Sequence, residues 1–367
     1  MTETRDVEPG GDRSLERVGF LGPEGDRRAG SYLIEDMTGA QATTRYGGLT
    51  ILPMAAAREQ DPTIDDLVFS LVDPTESEVA RTVAAQEPTA GAYVHVDAGT
   101  DVRIPAQSCF VLKTQRSEQV LHNLIVVEAG AHLDLITGCA AAHYALEGRH
   151  TAVTEIFVRD GASLTYTMIH DWAPDVRVAP VSAAHVSEGA RFASTYVALT
   201  RAKEVRMNPL AVVERGGSAT VSTLIYGGSH FDIGGRLRLV GNQASGEITS
   251  RAVAERCRIV VRGSIVSIGA ETRGHMECNG LVLEAGGAIH AIPELDARTP
   301  DADLSHEAAI GRIGQEKLMY LMSRGLSEEQ ATSLIVQGFL RAEIEGLPAG
   351  LADAIGAMID RMSNRAV

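Results

Sequence analysis

Aromatic side chains are scarce in this 367-residue chain: 7 Phe, 8 Tyr and 1 Trp, about 4% of the sequence. A large globular core is usually built on rings, whereas this chain has 37 glycines in their place. That balance suits a stack of short strands with small residues at the turns. Cysteine is scarce too. Cys109, Cys139, Cys257 and Cys278 form no CxxC pair, so length excludes a small disulfide scaffold and spacing excludes a self-contained zinc knuckle. Free thiols in a reducing cytosol are the expectation. Basic charge is short, with 33 Lys and Arg against 48 Asp and Glu and a net charge of −15. Nucleic-acid binding, which needs a basic surplus, is thereby disfavoured. No apolar run reaches the roughly 18 residues of a membrane span. The charge-dense first thirty residues lack the apolar stretch of a secretory signal. No GxxxxGK[ST] loop occurs, so ATP hydrolysis by this chain is not expected.

What is present falls into three zones, and the length suits two domains or one elongated domain with an appendage. The first zone is charged and broken by glycine. Short helices are expected around Ser14–Val18, Ser31–Met37, Met54–Glu59 and Ile64–Ser70. From about Gly91 to Glu294 the texture changes to β-branched runs separated by glycine turns. The first glycine of that turn recurs at Gly130, Gly161, Gly189 and Gly216, in steps of 31, 28 and 27 residues. A degenerate copy is read at Ala244, with later turns at Gly269 and Gly286. Strand–turn–strand units of this length bury nothing alone and make a continuous core when stacked. A sandwich of ordinary hairpins is the plainer reading of such a pattern; the regular step favours a β-helix.

The last zone reads as helical. Ile310, Ile313, Leu318 and Leu321 stand at helical spacing, ending at Arg324-Gly325. Ser327 then opens a capping box with Gln330, and the helix it starts runs to about Glu345 with Leu334, Ile335 and Phe339 on one side. A third helix is expected from Pro348 to about Met362. This zone suits a cap on the solenoid, a docking module for another protein, or both.

Two segments display reactive side chains. In "GCAAAHYALEGRH", Cys139 follows a glycine with His143 and His150 nearby. "GHMECNG" holds Cys278, and "DLSHEA" follows with His306 and Glu307. Thiolate, imidazole and carboxylate are ligands for zinc, iron or an iron–sulfur cluster. One cysteine cannot hold a cluster, so a site on Cys278 and His306 needs a second chain. The ordinary role of any one such residue is a small buried thiol or a satisfied core histidine.

Three long stretches carry more than chemistry. "IPELDARTPDADLSHEAAIGRIGQEKLMYLMSRGLSEEQATSLIVQGFL" closely resembles the C-terminal signature of the SufB/SufD family of the SUF iron–sulfur assembly system. "GCAAAHY…RHTAVTEIFV…GASLTYTMIHDW" and "RGHMECNGLVLEAGGAIHAIPE" resemble it too, in the same order, and the likeness runs from about Gly91 to Pro348. The compact length is similar to that of the short archaeal, minimal-system members.

The resemblance implies a mainly β chain with helical ends: a right-handed parallel β-helix flanked by N- and C-terminal helical segments. The expected divisions are 1–75, an irregular and helical segment; 76–300, the β-helix; and 301–367, helices that dock a SufC-type ABC ATPase. It implies a cytoplasmic scaffold for cluster assembly rather than a catalyst. Cys139 matches the sulfur acceptor, with Cys109 on the preceding strand as a second thiol. Cys278, His306 and Glu307 match metal-holding positions at a dimer interface, and Leu334, Ile335 and Phe339 fall on the docking helix. Trp172 matches a residue on the internal sulfur path, on which His170 and Lys113 also fall. Where longer SufB proteins have Arg and Asn this chain has Val111 and Lys113, and their Gln-Asn is here His170-Asp171. Cys278 favours a SufB-like role over a SufD-like structural one and, without a separate SufD, a homodimer. Flavin, bound by some relatives, has no support in the sequence. Cys257 has no assigned role. Two other readings stay open: a β-helix polysaccharide-binding or polysaccharide-cleaving protein, for which no carboxylate array is found, and a pure adaptor.

Overall fold

The computed structural model describes residues 14–21, 28–86, 89–198, 202–227, 230–341 and 356. Its body is a β-solenoid of about 8 turns. Each coil gives one strand to each of two sheets. In spatial order the first sheet contains Thr38–Thr44, Gly30–Glu35, Asp101–Leu112, His132–Ala141, Ser163–Asp171, Arg191–Ala198, Ser218–Gly227, Ser245–Ala254, Arg273–Val282 and Asp303–Gly311. The second contains Leu49–Pro53, Ala92–Val96, Ser117–Val127, Glu147–Val158, Asp175–Val186, Glu204–Met207 with Leu210–Val213, His230–Leu239, Arg258–Ser267 and Ala288–Ala297. Pairing is parallel from coil to coil, with antiparallel strands only at the N-terminal end.

The recurring glycine explains the regularity. Gly99, Gly130, Gly161, Gly189 and Gly216 all lie in the left-handed region, with φ between 64 and 69°. Gln243 and Glu271 hold the same corner at φ 61° and 54°. Each corner donates its N–H to the next coil, as from Gly130 to the Asp160 carbonyl at 2.9 Å and from Gln243 to that of Ala270 at 2.8 Å. The corners expected at Ala244 and Gly269 therefore belong to Gln243 and Glu271. The backbone keeps the conformation after the sequence has lost the glycine.

One apolar cluster fills the space between the sheets from Tyr32 to Cys278. A second covers the outer side of the first sheet, where Val18 and Phe20 from the N-terminal segment and Val336 and Leu340 from the C-terminal helix pack on Ile136, Ile169 and Val197. The outer side of the second sheet carries the helices Met54–Gln60 and Glu78–Ala84 and the short 3-10 turn Pro62–Asp66. Glu155 fastens that layer: its carboxylate accepts from Phe69 N at 2.6 Å, Leu71 N at 2.6 Å and Val72 N at 3.1 Å, and pairs with His122 Nε2 at 2.8 Å.

Several local expectations are corrected. Ser31–Met37 is not helical: Gly30–Glu35 is a strand whose Tyr32, Leu33 and Ile34 are all buried, and it pairs parallel with Asp101–Leu112. Successive apolar residues buried on both faces suit a strand sandwiched between layers. The helix expected over Ile64–Ser70 shrinks to Pro62–Asp66. Ile310 lies in the last strand, and the helix after it spans only Gln315–Ser323. The capping box is present: Gln330 N donates to Ser327 Oγ at 3.1 Å, and Ser327 N to Gln330 Oε1 at 2.9 Å. It opens Glu328–Arg341. The expected third helix, Pro348 to about Met362, lies outside the described residues except for Gly356.

Candidate functional site

Parallel register decides which residues meet. Phe110, Cys139 and His170 are register partners on three successive strands and belong to the interior. Cys109 pairs with Gly138, one position earlier, so it points to the opposite face and lies under Val18 and Phe20. The two thiols expected to cooperate are thus on adjacent strands but on opposite sides of one sheet. Burial pushes the Cys139 thiol well up from its ordinary pKa, and Cys109 adds to the rise; Cys109 is raised chiefly by burial as well.

Around Cys139 the interior is polar and ringed. His170 is fully buried, with its Nδ1 hydrogen-bonded to the Tyr196 hydroxyl at 2.9 Å. Its Nε2 is buried and has no hydrogen-bond partner among the described residues. His150 stands edge-on to it with ring centroids 6.4 Å apart, and Trp172 packs 4.9 Å from His150 and 5.5 Å from His170. Gln119 donates its amide to the Asp36 carbonyl at 2.7 Å, which leaves its oxygen to accept from His150 Nδ1 at 2.8 Å. Burial lowers the His150 pKa to about 3 and holds that of His170 far below its ordinary value, with His150 adding to the second shift. Both rings are neutral at neutral pH. Past Cys139 the chain reaches the surface, where His143 and Tyr144 are exposed.

Two positions earlier on each strand runs a second inward column: Ser108, Thr137, Met168, Tyr196, Thr223, Ser250 and Cys278, each in register with the next. It begins with a 2.7 Å hydrogen bond between the Ser108 and Thr137 hydroxyls. A cavity of about 30 Å³ lies beside its middle, between Tyr166, Tyr196, Thr223 and Gly234. Cys139 and Cys278 are five strand spacings apart, about 24 Å, too far for their side chains to meet.

Cys278 occupies the last coil but one and is buried. Burial, then Glu277, raises its pKa. His306 shares the inner face on the neighbouring strand, offset by two residues, because its register partner Met276 is interior. Its Nε2 is buried and has no partner among the described residues. Glu307 pairs with Glu277 and so points to the outer face, where Arg251 lies 3.5 Å from Glu277. No group of three or more His, Cys, Asp or Glu gathers to hold a metal among the described residues. Cys278 and His306 thus lie on one inner face beside the strand Asp303–Gly311, which has no further neighbour in its sheet among the described residues.

The remaining predicted residues scatter. Lys113 pairs with Glu35 at the surface, away from Trp172 and His170. Cys257 donates its thiol to the Gly227 carbonyl at 2.8 Å and packs in the core. On the C-terminal helix, Leu334 is 50% exposed, while Phe339 is partly buried against the outer cluster with Arg251 over its ring at 5.6 Å. Ile335 is half-buried. Among the described residues the largest apolar exposure is on the preceding helix, where Met319 and Tyr320 are 55% and 59% exposed.

Sequence reasoning missed Tyr196, Tyr166 and the hydroxyl column, although a signal existed. Counted from the recurring corner, Cys139 and His170 each stand nine positions on, and Thr137, Met168, Tyr196, Thr223, Ser250 and Cys278 seven.

Residues 110–339 match the family described as SUF system FeS cluster assembly, SufBD core domain. The chain belongs to the SufBD family. An iron–sulfur cluster assembly SufBD family protein of Archaeoglobus fulgidus is 38% identical over 349 residues, covering 94% of each chain. One from Methanothermobacter thermautotrophicus is 34% identical over 367 residues, covering 98% of this chain and 89% of its own. The iron–sulfur cluster assembly protein SufB of Bacillus subtilis is 28% identical over 312 residues, covering 83% of this chain and 66% of its own. These SufBD relatives support a role in iron–sulfur cluster assembly. Among the described residues no helix is long and apolar enough to cross a membrane.

Proposed function

We propose that this SufBD chain is a SufB-type scaffold on which a nascent iron–sulfur cluster, its cargo, is built. Cys139 accepts sulfur inside the solenoid. Cys278 and His306 hold one half of the cluster, and a second copy of the chain supplies the other. The observation that supports the reading is the placement of Cys278 and His306 on one inner face, two register positions apart, beside a strand with no further neighbour among the described residues. Thiolate and imidazole suit iron, and two donors per chain leave a coordination sphere that a partner can complete. Glu307, on the opposite face of the same edge strand, is exposed and so open to that second chain.

The chain itself performs no catalysis in this reading. A SufC-type ABC ATPase supplies ATP hydrolysis and docks on the C-terminal helices, where Met319, Tyr320, Met322 and Leu334 stand exposed. The four cysteines are free, which suits a reducing cytoplasm. Anaerobic reconstitution with ferrous iron and sulfide tests the reading. Wild-type protein is expected to develop cluster absorbance and Cys278→Ala to lose it. Equal absorbance in both, or none in the wild type, contradicts the proposal. An adaptor without cargo would also keep its function when Cys139 and Cys278 are both replaced.

A further inference from the structure

The ring of His170 is buried and neutral, so one of its nitrogens carries a proton and the other a lone pair. Tyr196 decides which. Its phenol is kept protonated by burial, with Cys139 opposing ionisation as well, and its hydroxyl meets Nδ1 at 2.9 Å. Among the described residues that hydroxyl has no hydrogen-bond partner other than Nδ1, so its O–H donates there and the imidazole proton lies on Nε2. That nitrogen is buried and has no hydrogen-bond partner among the described residues. A buried N–H without a partner is rare in a folded protein. The register partner of His170 on the preceding strand, on the same inner face, is Cys139. A sulfur added to Cys139 extends about 2 Å beyond its thiol, on the inner face that His170 shares.

We propose that His170 binds sulfane sulfur: its Nε2–H donates a hydrogen bond to the terminal sulfur of a Cys139 persulfide, and Tyr196 is the positioning residue that fixes the tautomer. The inference rests on the reading of Cys139 as sulfur acceptor and adds the group that holds what it accepts. In the loading step the Cys139 thiolate attacks the outer sulfur of a donor persulfide, R–S–SH. The new S–S bond forms as the donor's own S–S bond breaks, and the departing thiolate, R–S⁻, takes up the proton lost by Cys139. Two persulfide and thiol partners exchange one sulfur with no net oxidation. Once its terminal S–H has given up its proton to solvent, the persulfide carries the negative charge on the terminal sulfur, where a charge-assisted hydrogen bond has most effect. A neutral imidazole is suited to this, because it donates without requiring a buried cation.

The test uses the full chain, purified anaerobically and loaded with glutathione persulfide. Persulfide on the Cys139 peptide is followed by alkylation and mass spectrometry after the donor is removed, with Cys139→Ser as the blank. His170→Leu is expected to shorten the lifetime of the Cys139 persulfide by about tenfold, the size of one charge-assisted hydrogen bond. His170→Gln, whose amide N–H can reach the same sulfur, is expected to recover most of it. Tyr196→Phe removes only a hydroxyl, so it tests the claim even where His170→Leu fails to fold, and it too is expected to shorten the lifetime at unchanged melting temperature. Wild-type lifetimes in both His170→Leu and Tyr196→Phe overturn the assignment while leaving Cys139 as acceptor. Wild-type protein that loads no more sulfur than Cys139→Ser overturns the acceptor reading itself.

Discussion

Cys109 and Cys139 look alike in the sequence, as thiols on consecutive strands of a stacked fold. A single register position separates them: one lies under the N-terminal segment and the other inside the solenoid. No composition or spacing argument within one strand reveals this, because the face a residue takes depends on the coil before it. The corners were legible for the opposite reason, since a left-handed backbone calls for glycine. Gly161 has open space where a side chain would go, so its conformation alone sets the cost of replacing it. Gly161→Ala is expected to destabilise by about 1 kcal/mol, and an unchanged urea midpoint would contradict the turn assignment. His150 and His170 supply a pH test. Their folded pKa values lie below the ordinary value, so the unfolded chain binds protons that the native one refuses. The stabilisation is complete above about pH 6.5 and is lost as pH falls toward 3, at up to about 1.4 kcal/mol per pH unit for each ring. Chemical denaturation between pH 7.5 and 5 is expected to show that loss; a flat profile would mean that the rings are not buried neutral.

At the scale of elements, the C-terminal helices divide into a seated one and an exposed one. The capping box was legible because Ser327 and Gln330 satisfy each other's backbone locally. The start of the preceding helix was not, because Ile310 fits helical spacing while its backbone completes the first sheet. Phe339 lies partly against the outer cluster beneath Arg251, so Phe339→Asp is expected to unseat the helix, costing about 2 kcal/mol or more. Leu334 and Tyr320 face outward. Leu334→Asp and Tyr320→Asp are expected to leave the melting temperature unchanged and to reduce co-purification with a SufC-type ATPase. Full retention of the ATPase by both variants would remove this surface as the docking site.

The described residues form a solenoid whose first strands join antiparallel and whose last strand, Asp303–Gly311, has no further neighbour among them. The repeat step made the coils legible, because stacked units of one length need one corner each. The three N-terminal strands were not, since Thr38–Thr44 and Leu49–Pro53 join antiparallel, outside any repeat. At the other end Asp303–Gly311 and Ala288–Ala297 are largely exposed along their length, with Leu295 and Ile310 near 40%. An open parallel edge of this kind invites another chain. In the proposed reading, Cys278 and His306 beside it are half of a ligand set that a second copy completes. Anaerobic size-exclusion of the reconstituted protein, with iron and acid-labile sulfide measured across the elution, tests this most directly. The account predicts that the cluster travels with the dimer, one per pair of chains, and is absent from dimers of Cys278→Ala. A cluster eluting on monomeric chains, or persisting on Cys278→Ala, would contradict it.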